Sequence, residues 1–347
     1  ALAATIGEGY TGGKNLNQSL AANDRFGTSV SLDGNRLAVG AYFGDGTDGS
    51  GDEGEVYLYT FTDSAFSGAA LAATIGEGYT AYNGFNQSLN NDDLFGQSVS
   101  LDGNRLAVGA HGGDGTDGSN NEGEVYLYTF TDSAFSGAAL AATIGEGYSG
   151  GKNLNQSLDN DDYFGVSVSL DGNRLAVGAR YGDGSSNSRS NSGDVYLYTF
   201  SNSTFSGGAL AATIGHGYSG GKNINQSLDT SDYFGWGVSL DGNRLAVGAP
   251  YGDGLGNSMS SSGEVHLYTF SNSTFSGGEL AATIGHGYSG ARSGFNQNLD
   301  SGDYFGDAVA LDGNRLAVAA MYDDGYNNSR SYSGAVYLYS FTDSSFS

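Results

Sequence analysis

The sequence contains no cysteine, so it can build no disulfide framework, offers no thiol nucleophile and supplies no thiolate metal site. Positive charge is scarce: 13 Lys and Arg stand against 38 Asp and Glu, a net charge of -25. Such a surface repels phosphate backbones and anionic membranes, which argues against nucleic-acid partners and leaves calcium as the one cofactor to consider. No run approaches the roughly 20 apolar residues that a membrane-spanning helix needs, so membrane insertion is not expected. Proline and tryptophan occur once each, and no apolar run of useful length has the helical period. Glycine is abundant, with 60 residues, as are aromatics, with 24 Tyr and 18 Phe. That much glycine fits short strands joined by turns, and that many aromatics speak against a disordered chain.

One stretch organises the rest. Phe26 to Ala41 reads FGTSVSLDGNRLAVGA and returns from Phe95, Phe164, Phe234 and Phe305, at spacings of 69, 69, 70 and 71 residues. Self-similarity at a fixed period marks a repeat architecture, here five units starting near residues 2, 71, 140, 210 and 280 within a single domain spanning 1–347. Two apolar runs flank Asp33, Gly34 and Asn35, which tolerate the backbone of a tight hairpin turn. The first unit holds four strand-like runs: Leu2 to Ile6, Thr28 to Leu32, Arg36 to Ala41 and Glu55 to Phe61. Along the last, Val56 and Leu58 oppose Tyr57, Tyr59 and Phe61, so both faces are apolar and both are expected to be buried. Four short strands per unit with radial repetition predict an all-β fold, a five-bladed β-propeller with four antiparallel strands per blade. The last copy lacks its fourth strand while Leu2 to Ile6 is spare, so pairing of that run with the fifth sheet is expected to close the array. Because ALAATIGEGY already lies inside a repeat, the chain reads as a segment or processed form of something longer.

The order FG, SVSL, LAVGA and then a glycine-bounded VYLY strand resembles the FG-GAP repeat of integrin α-subunit propellers and their bacterial relatives. The long, near-identical units are similar to arrays in giant bacterial exoproteins of the filamentous-haemagglutinin type. The resemblance implies a propeller with adhesive or structural work, outside the cell or on its surface. It also implies an aspartate-rich calcium loop between the FG and GAP strands. Here that loop has shrunk to Leu32-Asp33-Gly34-Asn35, too short to wrap a calcium ion, so the family's metal site is not carried over.

Four constellations remain to be weighed. The loop after the GA strand carries Asp45, Asp48 and Asp52 in the first copy, Asp114 and Asp117 in the second, and mainly Asp183 and Asp253 later. Hard oxygens between glycines suit calcium, and the same pattern also describes polar turns in which Asp folds back on its own backbone. An acid precedes each FG by two residues, at Asp24, Asp93, Asp162, Asp232 and Asp303. Its expected partner is the arginine of DGNR, at Arg36, Arg105, Arg174, Arg244 and Arg315, as a structural contact. The GxGY turns end in Tyr10, Tyr79, Tyr148, Tyr218 and Tyr288, beside Asn- and Gln-rich segments. Aromatic faces next to amides are what sugar binding uses, and the same rings can simply cover a loop. The histidines, His111, His216, His266 and His286, have neither triad nor zinc spacing. These features predict a non-enzymatic structural or adhesive module whose partners are glycans or further copies of itself. The alternative is a multivalent lectin with one sugar site per blade.

Overall fold

Asp33 pairs with Arg36 across Gly34 and Asn35, and the hairpin expected from DGNR forms in every copy. Gly34 sits at φ +59°, the left-handed conformation a side chain resists. The computed structural model describes residues 2–47, 49, 51–80, 84–116, 118, 120–289 and 294–346. The fold is all-β, a five-blade β-propeller, with two short 3-10 turns as the helical elements of the described residues.

In the first blade, Ser29–Asp33, Arg36–Ala41, Glu55–Thr60 and Ala70–Gly76 form a consecutive antiparallel sheet. A short fifth strand, Gly84–Asn86, then runs parallel to the fourth, an element the sequence pattern did not announce. The second, third and fourth blades repeat this order, and the fifth stops at three strands, Phe305–Asp312, Arg315–Ala320 and Ala335–Ser340. The expectation that Leu2 to Ile6 would complete the fifth sheet is not met. Ile6–Gly7 instead pairs parallel with Leu16–Asn17. The same local pair joins the fourth and fifth strands of the other blades, and so short a loop closes at little entropic cost.

The contacts divide the chain into two compact units, residues 1–160 with 202–206, and residues 161–201 with 207–347. Inside the first unit the core lies between the first two sheets, with Val56 and Leu58 facing Val99, Leu101, Leu106 and Val108. Inside the second it lies between the third and fourth sheets and between the fourth and fifth, built from the equivalent residues. Tyr57, Tyr59 and Phe61 pack on the opposite face, against Ile6, Leu16 and Phe26. Large and small apolar faces therefore alternate through each unit, as the strand periodicity implies. At the tightest points the backbones leave no room for a side chain: a Cβ on Gly40, Gly178 or Gly248 would lie 1.9 Å from the carbonyl oxygen of Gly96, Gly235 or Gly306.

Candidate functional site

The third strand of each of the first four blades opens with a buried acid, Glu55, Glu124, Asp194 or Glu264, in an otherwise apolar run. Tyr57 donates to Glu55 from the same strand, and Tyr79 donates to its other oxygen at 2.9 Å. Glu124 receives Tyr126 and, at 2.9 Å, Tyr148. Asp194 accepts from Tyr218 at 3.1 Å and Glu264 from Tyr288 at 3.0 Å, with His266 standing 3.3 Å from Glu264 where the other copies have the strand tyrosine. Burial raises Glu55 and Glu124 above the usual carboxylate range and pushes Asp194 up to about 8. It also lifts the phenols of Tyr57, Tyr79, Tyr148, Tyr218 and Tyr288 well above their ordinary range, so they remain donors.

Four of the five GxGY tyrosines thus have their hydroxyls committed inside the blade, while Tyr10 is 49% exposed. The amides read beside them are committed too. Asn17, Asn86, Asn155, Asn225 and Asn296 accept from Gly9, Gly78, Gly147, Gly217 and Gly287 N–H. Gln18, Gln87 and Gln226 accept from buried Tyr59, Tyr128 and Tyr268 at 2.7, 2.6 and 2.6 Å.

Four of the acids before FG turn onto their own backbone, which corrects the expected pairing with the arginines. Asp24, Asp93, Asp232 and Asp303 each accept the backbone N–H three residues upstream, at 2.6 to 2.8 Å, closing a local turn. Asp162, their counterpart, is buried as well. Burial pushes Asp93 and Asp232 up to about 7. The arginines pair instead with the first residue of their own turn: Arg36 with Asp33, Arg105 with Asp102, Arg174 with Asp171, Arg244 with Asp241 and Arg315 with Asp312. A three-residue spacing across a hairpin end brings those groups together at no cost in chain order. Arg36, Arg174 and Arg244 also reach the next blade, donating to Asn104, Asn243 and Asn314. The same aspartates accept Gly103, Gly242 and Gly313 N–H at 2.9, 2.8 and 2.9 Å. Arg and Asp thus hold different partners from those expected.

In the acidic loop, Asp45 accepts Asp52 N–H at 3.2 Å and Asp114 accepts Asn121 N–H at 2.9 Å. Asp183 and Asp253 likewise accept Asn191 and Ser261 N–H, both at 2.7 Å. Each carboxylate closes its loop over seven or eight residues. The carboxyl of Asp52 is raised by desolvation and by the neighbouring charges of Asp45 and Asp92. Asp48 and Asp117 lie outside the described residues, and among the described residues no three acidic or histidine groups gather as a metal ligand set.

A feature missed in the sequence emerges in the second unit, where aromatic rings meet edge-on or tilted from blade to blade. Tyr163 meets Tyr181 at 4.9 Å between centroids, Tyr181 meets Tyr233 at 5.0 Å, Tyr233 meets Tyr251 at 4.6 Å, Tyr251 meets Tyr304 at 4.5 Å and Tyr304 meets Tyr322 at 5.2 Å. Tyr332 extends the row, and Trp236 joins it beside Tyr251 with the Arg180 guanidinium 4.5 Å above its ring. Tyr163, Tyr233 and Tyr304 hold left-handed φ of 56, 56 and 54°, a conformation unusual for bulky residues. The signal was legible as a tyrosine directly before FG and another opening the YGD or, in the fifth copy, YDD loop of the later copies. A family model described as the FG-GAP repeat matches residues 19–59, 89–128, 158–198, 228–268 and 297–339. No curated protein matches the chain.

Proposed function

The chain belongs to the FG-GAP repeat family, and from that premise we propose a non-enzymatic structural or adhesive module of a secreted or cell-surface bacterial protein. The observation that carries this reading is that the repeated polar residues build the blades. Tyr79 and Glu55, Asn86 and Gly78, and Asp45 and Asp52 are joined to one another, and their counterparts recur from blade to blade. Near-identical copies present similar loop sets at fixed spacing, an arrangement in which weak contacts add by avidity. The long, near-identical units favour a giant exoprotein as the parent. No helix of the described residues is long and apolar enough to cross a membrane. Beads coated with the chain at graded density and passed over glycan and host-protein surfaces test the reading. Retention that climbs more steeply than density supports an adhesive module, and absence of retention at every density removes the adhesive half of the proposal.

A glycan-binding module is the second reading, and the aromatic row of Tyr163 to Tyr332 favours it over the GxGY tyrosines. Its rings are only partly buried and lie beside Arg180, a geometry that suits the C–H faces of an extended neutral polysaccharide. Trp236 is the sole tryptophan, so its fluorescence reports directly on this row. A saturable change on adding oligosaccharide, lost in Tyr251→Ala, supports this reading, and an unchanged spectrum across a glycan panel sinks it.

A further inference from the structure

Two pairs in the aromatic row of the second unit lie well away from perpendicular. Tyr163 meets Tyr181 at 4.9 Å and 44°, and Tyr251 of the fourth blade meets Tyr304 of the fifth at 4.5 Å and 40°. The contacts between these pairs, Tyr181 with Tyr233 and Tyr233 with Tyr251, cross at 68° and 71°. Beyond them, Tyr304 crosses Tyr322 at 67°. An edge aimed at a ring face keeps the carbons beside the two hydroxyls apart, whereas a close tilted pair lets ring carbons of one phenol lie alongside those of the other.

The two tilted pairs differ in their surroundings. The Arg180 guanidinium stands 5.1 Å from the ring centre of Tyr163 and 4.9 Å from that of Tyr181. At the equivalent place the fourth copy has Pro250, the one proline of the chain, and among the described residues no guanidinium covers Tyr251 or Tyr304. A positive charge beside a ring raises the cost of removing an electron from it, so Tyr251 and Tyr304 are the more easily oxidised pair. Their placement is also fixed. Pro250 restricts the backbone directly before Tyr251. Tyr304 N–H donates to the Ser261 carbonyl at 3.3 Å and Phe305 N–H to that of Ser262 at 3.0 Å, which ties the start of the fifth blade to the fourth. The Tyr251 hydroxyl is desolvated and faces that of Tyr304, and both effects raise it above the ordinary phenol range.

We propose that Tyr251 and Tyr304 are a site of oxidative modification, joined as an intrachain dityrosine that fastens the fourth blade to the fifth. This use of the rings goes beyond the adhesive and glycan readings and requires neither. Each phenol gives up one electron and its hydroxyl proton, leaving a radical spread over the oxygen and the ring carbons beside it. A carbon–carbon bond then forms between one such carbon on each ring. The hydrogens on those carbons move to the oxygens, and both phenols are restored. The electrons and protons pass to a one-electron oxidant, such as a haem peroxidase that takes hydrogen peroxide to water. Because the folded chain already holds the rings in contact, coupling within the pair outruns encounter between separate chains. The bond closes the chain between Tyr251 and Tyr304 in the unfolded state, a fastening that a sequence without cysteine cannot obtain from a disulfide.

Brief illumination of the dilute intact chain with tris(bipyridyl)ruthenium and persulfate, a small one-electron oxidant, tests the proposal. The expected product keeps the monomer's mobility on a denaturing gel, shows the blue fluorescence of dityrosine and weighs two hydrogens less. Proteolysis and mass spectrometry place the bond between Tyr251 and Tyr304. Tyr251→Phe and Tyr304→Phe each remove that product, and circular dichroism checks that both variants keep the fold. Tyr10→Phe, outside the row, leaves the yield unchanged. Unfolding in urea before illumination lowers the yield of this bond by roughly tenfold or more, since the rings are then no longer held together. Absence of dityrosine overturns the proposal. So do links formed only between chains, a product that persists in either row variant, or an equal yield from the unfolded chain.

Discussion

The hydroxyl of Tyr337 donates to Asp323 at 2.5 Å, across 14 residues of chain, whereas Tyr57 and Tyr126 donate to acids two residues away on their own strand. The fifth copy has exchanged two positions. Ala335 replaces the strand acid, and Asp323 replaces the glycine found at Gly44, Gly113, Gly182 and Gly252. A Cβ at those glycines would lie 2.6 to 2.9 Å from side-chain atoms of Glu55, Glu124, Asp194 and Glu264. One carboxylate fits this space, and either position can supply it. Gly44→Asp alone is expected to destabilise by about 1–3 kcal/mol through overpacking, and Glu55→Ala in the same chain to recover much of that loss. A double-mutant cycle by urea denaturation measures the coupling, and additive effects would refute a shared space.

Removing a shared acceptor costs more than removing one donor. Glu124→Ala strands the hydroxyls of Tyr126 and Tyr148 and is expected to cost roughly 2–4 kcal/mol, whereas Tyr148→Phe costs about 1 kcal/mol. Denaturant midpoints at constant slope check both values.

Stability is expected to fall as pH rises, against the usual behaviour of carboxylates. Burial raises Asp93 and Asp232 from 3.8 to about 7 and Asp194 to about 8. Between pH 4 and those values the unfolded chain has lost the protons that the folded chain keeps, so the unfolded state binds fewer and stability declines with pH. Below about pH 4 both states are protonated and the effect vanishes. Thermal unfolding should give a higher Tm near pH 5 than near pH 8.5, and Asp93→Asn and Asp194→Asn should flatten the difference. A Tm that climbs across that range would contradict the assignment.

The repeated arginines are not equivalent. Arg244 is buried, pairs with Asp241, donates to Asn314 and lies over Phe346, whereas the Arg315 side chain is 76% exposed. Arg244→Ala is expected to cost about 1–3 kcal/mol, and Arg315→Ala to stay within about 0.5 kcal/mol. Parallel denaturant titrations of the two variants distinguish a junction residue from a solvated copy of it.

The FG…DGNRLAVGA wording made the hairpin, the all-β class and the count of five blades legible, because strand period and turn chemistry act within about ten residues of sequence. The aspartates of the acidic loop were also legible as turn closers, since Asp45 and Asp52 are near neighbours in the chain. Partners farther apart were not. Asp24 was expected at Arg36, yet local geometry gives Arg36 to Asp33 and Asp24 to Ala21. Tyr79 read as a sugar platform or as a loop cover, and neither reading foresaw that its hydroxyl reaches Glu55, 24 residues away.

By itself, then, the sequence determined the repeat, the strands and the turns, each set by contacts between near neighbours. Tertiary structure alone decided which polar groups are consumed inside a blade and where Tyr163 through Tyr332 meet. Those outcomes depend on residues brought together through packing, where one added Cβ or one missing acceptor changes what can approach, and no periodicity along the chain encodes that distance.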